Sequence, residues 1–468
     1  MSSTVVPSTA RRTPTAVTFA LLGVSVGSFS MLQSLVSPAL PALVVDLHTT
    51  QAGVSWVVIS VLLSAAVGIP ILGRVGDMIG KEKTLLVALG AIAVGTLVSA
   101  LAPNLAVMVT GRVIQGFGGA VYPIAFGIIR DEFEPRRVPS AVGAISSVIA
   151  VGGGLGTVLA GPIVDGLGWR WLFWLMFGVA VTVGVLAAVF VPASPVRTGG
   201  RINWGASVLL TIWLVALLLP VCQGQRWGWA SPVTITSFVV AAVTLAAWIV
   251  VEARSSNPVV DMQMMRSAPV WTTNLVGALF GASMFAAFAF VPQFVQTPSS
   301  AGYGFGTSVT VAGLLILPML VTMALGGMVS GPIHQRVGFR AQLAWGSALL
   351  CIGCLGFGFW NDHTWQIAVA STVAGFGLGL AYSAMTSVIV EAVPATQTAT
   401  ATGMNTNIRN IGGAIGTAIA TAVITASVGV DGFPTPAGYA AGFTTLAAMA
   451  AVGVGVSLLI PSGRGAAS

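Results

Sequence analysis

Charged residues are scarce in this chain. Lysine, arginine, aspartate and glutamate together make up 7% of its 468 residues, whereas a soluble domain carries about 25%. So little charge, together with 56% hydrophobic residues, excludes an ordinary soluble fold. The mean hydropathy of +0.95 indicates instead a membrane protein.

Cysteine and histidine are also rare, with three of each. Metal and redox sites need several such ligands close together, and Cys351 and Cys354 lie one helical turn apart inside an apolar run. We therefore expect packing roles for the cysteines, no metal site and no cofactor. Glycine patterns such as "GFGGA" lie within apolar runs without a P-loop lysine, so nucleotide binding and enzymatic activity are not expected.

Long apolar runs recur from end to end, each able to cross a bilayer core of about 30 Å as a helix. The first continues past Arg11 and Arg12 to about residue 36 without a cleavage signal, so we expect it to be retained. The sequence predicts an all-α polytopic membrane protein with fourteen spans, near 16–37, 51–72, 84–102, 105–129, 139–164, 170–192, 205–222, 232–251, 269–295, 307–330, 341–360, 364–390, 400–427 and 437–460.

Lysine and arginine in the connections predict the orientation, because cytoplasmic loops retain positive charge during insertion. Only Arg170 and Arg226 fall in outer loops if both termini are cytoplasmic, and Arg112 and Arg409 lie within spans. The remaining fifteen of the 19 basic residues then fall on the inner side. Topology explains the net charge of +7, and no nucleic-acid partner is expected.

An internal repeat divides the chain. "GRVGDMIGK" at 73 is echoed by "GPIHQRVGFR" at 331, and "GFGGAVYPIAFGIIRDEFEP" at 116 by "GFGLGLAYSAMTSVIVEAVP" at 375. Matches in the same order at a nearly constant offset indicate a duplicated bundle, a common plan in transporters. The predicted domains are a tail (1–15), a six-helix bundle (16–192), a linker with two extra spans (193–268), a second bundle (269–460) and a tail (461–468).

These motifs resemble those of major facilitator superfamily transporters, and fourteen spans resemble the drug:proton antiporter branch with two extra central helices. The superfamily signature G-x-L-a-D-r-x-G-r-k is similar to the stretch from Gly73 through Asp77 and Gly80 to Lys81 and Lys83. The resemblance extends over nearly the whole chain and implies the major facilitator fold.

The resemblance implies a conformational latch in this stretch. Asp77 is expected to contact the start of the thirteenth helix near Ala401 and Thr402, and Lys81 to pair with Asp131, so that the contacts hold the bundles together. Gly73 and Gly80 would allow close backbone approach and a tight turn. The alternative is a solvated turn whose basic residues only set the topology.

Two arginines fall inside predicted spans, where a charge costs roughly 2.5 to 3.5 kcal/mol on insertion scales. Arg112 is expected to face the cavity, and the resemblance links an arginine there, beside Gln115, to proton transfer; a structural clamp between helices is the alternative. Arg409 could line a gate or cavity, or extend its side chain to the membrane surface.

The usual acidic residue of the first helix in this branch is replaced by Leu32, and we place none of the 12 acidic residues at mid-membrane. Asp46 and Asp165 are the nearest candidates for proton coupling, although outer-surface ion pairing or a helix-end position would also explain them. Without a central acid, neutral, zwitterionic or anionic substrates are favoured over quaternary ammonium compounds.

Polar and aromatic residues on spans that border the predicted cavity are candidates for substrate contact, although packing would explain any one of them. These residues are Gln33, Gln115, Tyr122, Asn274, Phe285, Gln293, Tyr382, Asn405 and Arg409. Gly152 and Gly156 have the small-x-x-x-small spacing of close helix contacts, and Gly161 is expected to contribute to the same packing along the fifth helix. Thr157 stands where the resemblance would place a proline.

The sequence thus favours a secondary transporter that exports small amphipathic molecules in exchange for protons across a bacterial cytoplasmic membrane, and we expect it to be a monomer. An importer or uniporter of a polar metabolite, or a membrane sensor or scaffold that does not transport, would be the alternatives.

Overall fold

The computed structural model describes residues 15–195, 201–429 and 433–460. The predicted tails 1–15 and 461–468 lie outside these residues except for Thr15, as do Arg197 and Asp431. In the described part of the chain all regular structure is helical apart from one isolated bridge between Val428 and Pro434. The predicted all-α class is confirmed.

Fourteen long helices form the body of the described chain. They are α1 (Thr15–Leu35), α2 (Trp56–Ile79), α3 (Lys81–Ala100), α4 (Leu105–Glu132), α5 (Val138–Leu167), α6 (Arg170–Phe190), α7 (Trp204–Trp227), α8 (Pro232–Arg254), α9 (Ala268–Gln296), α10 (309–337), α11 (339–359), α12 (Thr364–Ala392), α13 (Thr398–Thr425) and α14 (Pro436–Ser457). A 3₁₀ turn, Phe117–Ala120, interrupts α4. The fourteen predicted spans correspond to these helices.

The charged stretch at 73–83 lies between the predicted spans 51–72 and 84–102, where a loop is expected. It is helical instead, which corrects that expectation. α2 continues to Ile79 and α3 begins at Lys81, so that Gly80 alone, with φ +121°, reverses the chain. Its counterpart in the repeat, Gly338, has φ +79° and separates α10 from α11. Both positions need a backbone conformation that glycine adopts without steric cost.

The apolar side chains form two main cores. One joins α1 to α6 and the other joins α9 to α14. A third cluster unites the extra helices α7 and α8 with α12 and α13, and α2 packs against its edge. α7 therefore covers the line along which α2 meets α13. The predicted boundaries at 193 and 268 remain predictions.

The two halves meet along two seams at the end of the molecule that carries Arg74, Lys81, Arg130 and Arg340, which we call the basic end. In the α2–α13 seam, a Cβ added to Gly73 would lie 2.9 Å from the Ala399 carbonyl oxygen. In the α5–α10 seam, a Cβ added to Gly331 would lie 2.9 Å from the Ser140 Cα. The seams are thus equivalent under the repeat.

The seams differ at the position that Asp77 occupies in α2. Asp77 in α2 is fully buried, whereas the residue at the same place in the repeat, Gln335 in α10, is exposed. In the α5–α10 seam the Ser147 hydroxyl donates to the Ala324 carbonyl at 2.6 Å. Neutral contacts therefore join α5 to α10, and a carboxylate joins α2 to α13.

The predicted glycine contacts of α5 are made against α1, with one exception. A Cβ on Gly152 would lie 2.7 Å from the Gly27 carbonyl oxygen, and a Cβ on Gly156 would lie 2.5 Å from that of Met31. A Cβ on Gly161 would meet nothing within 4 Å. The packing role assigned to Gly161 is therefore wrong, because α5 has passed beyond α1 at that point.

We expect Gly156→Ala to lower the thermal midpoint of the purified protein in detergent, because the methyl group would push backbone against backbone. Gly161→Ala is the matched control on the same helix and should leave the midpoint unchanged or raise it, since alanine is favoured over glycine in a helix by about 1 kcal/mol. Equal midpoints for the two variants would contradict the packing described for α1 and α5.

Candidate functional site: the seam latch and the central polar cluster

The carboxylate of Asp77 caps the start of α13. Its oxygens accept hydrogen bonds from the backbone N–H groups of Ala399 at 3.3 Å and Thr400 at 2.9 Å, and from the Thr400 hydroxyl at 2.9 Å. The helix's own N-cap residue, Gln397, makes no side-chain cap bond. The first N–H groups of a helix lack partners within it, and its dipole favours negative charge there. One half of the molecule thus supplies the cap of a helix in the other half.

Lys81 lies between two carboxylates at the same place. Its ammonium contacts Asp131 of α4 at 2.7 Å and Asp77 at 4.0 Å. The Ser194 hydroxyl donates to the same Asp131 oxygen at 2.7 Å. The side chains of Lys81, Asp77 and Asp131 are at most 2% exposed, so water screens their charges little. We refer to Asp77, Lys81 and Asp131 as the latch.

The latch contacts differ from the sequence expectation in register and extent. The cap falls on Ala399 and Thr400, two residues earlier than expected, because α13 begins at Thr398. A further bond across the seam, from the Arg130 guanidinium to the Thr398 hydroxyl at 2.8 Å, was not predicted. Arg130 is one of the fifteen basic residues that the sequence assigns to the inner side, and its position in the sequence does not predict a contact with the other half.

Arg112 lies inside the first half and not in a cavity between the halves, which corrects the prediction. It is 1% exposed, and its Nε donates to the Val57 carbonyl at 2.9 Å. Its Nη1 donates to the Gln115 side chain at 2.6 Å, and Gln115 donates to Ser99 at 3.1 Å. These bonds join α2, α3 and α4, because glycines at the α3–α4 contact bring the backbones close enough to enclose the guanidinium.

The two predicted outer carboxylates have different surroundings. Asp46 accepts a hydrogen bond from the Trp169 indole at 2.7 Å and lies 3.7 Å from the Arg170 guanidinium. Asp165, which the sequence places close to Arg170, is exposed near the end of α5. Arg170 therefore pairs with Asp46, and the pair is about half exposed.

Two predicted cavity residues of the second half, Tyr382 and Arg409, are in contact, and a third, Tyr122, belongs to the first half. The Arg409 guanidinium lies 4.1 Å from the centre of the Tyr382 ring and donates to the Tyr382 hydroxyl at 2.8 Å. Tyr122 of the other half lies within electrostatic range of both. We call these residues the central polar cluster. Arg409 is 3% exposed, so the surface-directed orientation considered for it is wrong.

The depth of the cluster follows from helix geometry. Arg409 is eleven residues from the start of α13, and Tyr122 and Tyr382 are each ten residues from the ends of α4 and α12 at the basic end. At a rise of 1.5 Å per residue, all three lie about 15 to 17 Å from that end. This is about half the thickness of a bilayer core.

The remaining cavity candidates lie apart from this cluster. Asn405 donates to Asn274 at 2.9 Å within the second half, so these two amides partner each other. Gln33 is partly buried on α1, and Gln293 is exposed near the far end of α9. Phe285 is 38% exposed and packs beside Gly413. Spacing along a helix did not distinguish these positions from those of the central polar cluster.

Comparison with known proteins decides the family. The sequence profile of the Major Facilitator Superfamily matches residues 22–417 and 275–465. The chain belongs to the major facilitator superfamily. Superfamily members are transporters, so the expectation of a transporter and not an enzyme is confirmed.

Relatives of this superfamily member carry names that refer to drugs and antibiotics. It is 28% identical to Multidrug resistance protein 3 of Bacillus subtilis over 375 residues, 78% of this chain and 71% of the relative. It is 28% identical to Multidrug resistance protein Stp of Mycobacterium tuberculosis, over 81% and 70%. It is also 28% identical to the Tetracenomycin C resistance and export protein of Streptomyces glaucescens, over 80% and 70%.

Solved structures share the fold. The human organic anion transporter MFSD10 matches with a TM-score of 0.68 at 16% identity, over 95% of this chain and 99% of that one. The proton:xylose symporter XylE matches with a TM-score of 0.66 at 13% identity, over 96% of each chain. The major facilitator fold is therefore confirmed, and the chain is a multi-pass membrane protein.

We expect Lys81→Met to lower the thermal midpoint in detergent by about 5 °C or more, because removal of one partner from a buried ion pair costs about 3 to 5 kcal/mol. Lys83→Met, an equal change at an exposed position two residues away, should leave the midpoint nearly unchanged. A loss of equal size in both variants would mean that Lys81 contributes only its general charge.

Proposed function

We propose that this superfamily member is a secondary active transporter that exports small amphipathic compounds, such as drugs or natural products, by alternating access in exchange for protons. The observation that carries the proposal is the Asp77 carboxylate seated on the start of α13. The names of its relatives, which refer to multidrug resistance and antibiotic export, support the class of substrate.

The latch is suited to a contact that forms and breaks in each cycle. Its bonds to backbone N–H groups are charge-assisted, and such bonds contribute about 1.5 to 3 kcal/mol each at most. A contact of this strength favours one conformation without preventing the other, which is what rocking of one half against the other requires. With the seams packed at the basic end, the structure corresponds in this proposal to the state closed toward the cytoplasm.

Proton coupling is assigned in this proposal to the buried Arg112 and Gln115 pair. Arg112 has no carboxylate partner among the ion pairs of the described residues, and its bonds join three helices. A change in its hydrogen bonds would therefore alter the contact with α2, the helix that also carries Asp77. Asp46 and Asp165 remain the alternative coupling groups.

The proposal also covers location and assembly. In this proposal the basic end faces the cytoplasm, because basic residues are retained there, and the chain lies in a bacterial cytoplasmic membrane with both termini inside. We propose a monomer, since each of the two halves completes the interface of the other within one chain.

In proteoliposomes, an imposed pH gradient should drive the transport of a fluorescent dye or an antibiotic by the wild-type protein. Arg112→Ala should lose the response to the gradient and still allow the substrate to equilibrate down its own gradient, because only coupling is removed. A wild-type rate that does not respond to the pH gradient would refute proton exchange.

Asp77→Asn should reduce turnover about tenfold, since the loss of about 1.4 kcal/mol or more of latch stability changes a rate by that factor. Substrate affinity should change little, because the central polar cluster lies well above the latch. Asp362→Asn, the same substitution at an exposed position near the opposite end, is the matched control. Normal turnover by Asp77→Asn in the same assay would rule out the latch.

A further inference from the structure

Arg409 carries a positive charge that the described residues do not neutralise. Their four ion pairs are Lys81 with Asp77, Lys81 with Asp131, Arg137 with Glu134, and Arg170 with Asp46. Arg409 is 3% exposed at about half the depth of the membrane. Charged groups buried in a membrane protein are normally paired or functional, and the contacts of Arg409 are with a phenol, a ring face and a threonine.

The guanidinium keeps donors available in this arrangement. Both of its hydrogen bonds among the described residues come from Nη2, to the Tyr382 and Thr406 hydroxyls. A guanidinium has five N–H donors in a planar fork. Nε and Nη1 make no hydrogen bond to the described residues, so their N–H groups remain available to donate to an anionic oxygen. Tyr382 orients the fork by its hydroxyl and by its ring at 4.1 Å.

The backbone of α13 is pressed against α9 at this residue. A Cβ added to Gly281 of α9 would clash with the carbonyl oxygen of Arg409. The Cγ atom of Arg409 would lie 2.9 Å from the same added Cβ, so the side chain starts against α9, and its guanidinium reaches Tyr382 on α12. The position of Arg409 is thus set by the packing of three helices and not by a charged partner.

Further aromatic rings pack on the two tyrosines of the central polar cluster. Phe280 meets the Tyr382 ring edge to face at 6.4 Å, and Phe29 meets the Tyr122 ring in the same way at 5.4 Å. Rings in such positions can pack against a flat apolar body. A cation beside an aromatic face, with other rings nearby, is complementary to a molecule that has an aromatic body and an anionic end.

The surrounding interface also contains polar atoms that protein packing does not satisfy. In the described part of the chain, the Ser383 hydroxyl and both side-chain amide atoms of Asn407 are buried without a hydrogen-bond partner. Ser383 lies next to Tyr382 and close to Gly143 of the first half, and Asn407 lies one turn beyond Gly403, which contacts Ile69. Buried polar groups normally find partners, so this interface is suited to a polar ligand.

We propose that Arg409, held over the Tyr382 ring, recognises the carboxylate of an aromatic amphiphile and makes this transporter selective for anionic substrates. The inference rests on the proposed function in one respect, since separation of the halves is what opens the central polar cluster to a ligand. Beyond the proposed function, the inference specifies the charge of the substrate and the residue that recognises it.

The test uses full-length protein in lipid nanodiscs and three probes with one aromatic body: 2-naphthylacetate, 2-naphthylacetamide and 2-naphthylmethyl-trimethylammonium. Equilibrium dialysis against empty nanodiscs separates protein binding from lipid partition. The wild type should bind the carboxylate about tenfold more tightly than the amide, as expected for a charge-assisted pair, and the ammonium compound most weakly.

Arg409→Gln should bring carboxylate and amide to within about twofold of each other, while Arg409→Lys should keep a reduced preference because lysine lacks the planar fork. Arg226→Gln removes the same charge at an exposed position of α7 and should keep the full preference. Tyr382→Phe retains the charge and the ring and should weaken carboxylate binding about threefold, which provides a second readout if Arg409→Gln does not fold.

Wild-type binding of the amide or the ammonium compound as tight as that of the carboxylate would overturn the inference, as would a preserved preference in Arg409→Gln. The transport assay separates this outcome from failure of the proposed function. If a pH gradient drives export of the ammonium probe while the carboxylate does not bind, the transporter proposal stands and the anionic site is wrong. If the carboxylate preference depends on Arg409 but no gradient drives transport, the anionic site stands and the proposed proton-driven transport is wrong.

Discussion

The cap that Asp77 provides for α13 is the interaction on which closure of the basic end depends. A helix that starts inside a protein has backbone N–H groups without partners, and an unmade hydrogen bond there costs about 1 to 3 kcal/mol. Gln397 does not satisfy them from its own half. In the proposed cycle, separation of the halves exposes both a carboxylate and a helix start, and each must then be hydrated. The closed state is then favoured both by the contacts it makes and by the cost of exposing these groups in the open state.

One helix connects this closure to the central polar cluster. Thr400, which contacts Asp77, and Arg409, which contacts Tyr382, are nine residues apart on α13, about 14 Å along a helix. Glycines let α9 pack directly on the backbone of α13 at Arg409 and at Gly412. A shift of α13 at the seam is thus carried to Arg409 by rigid backbone, without a chain of side-chain rearrangements.

The sequence predicted the helices and the repeat well, because apolar runs of membrane length and glycines at matching positions are local features. It placed the Asp77 contact two residues late, since the start of α13 depends on Thr398 and Gln397 and not on hydropathy. It misplaced Arg112, whose burial is decided by how closely α3 and α4 approach. It could not predict that Tyr122 and Arg409 lie within electrostatic range of each other. Which helices of the two halves face each other depends on tertiary packing and produces no pattern in the residue spacing.

The two seams differ at the place where Asp77 corresponds to Gln335. Salt or protonation can act on the carboxylate of the α2–α13 seam, whereas the hydrogen bond described between α5 and α10 joins neutral groups. In the proposed cycle, the halves part by turning about the α5–α10 contact, and the gap widens at the α2–α13 seam. α7 covers that seam, so the two additional helices would form a wall of the path by which a substrate enters from the cytoplasm.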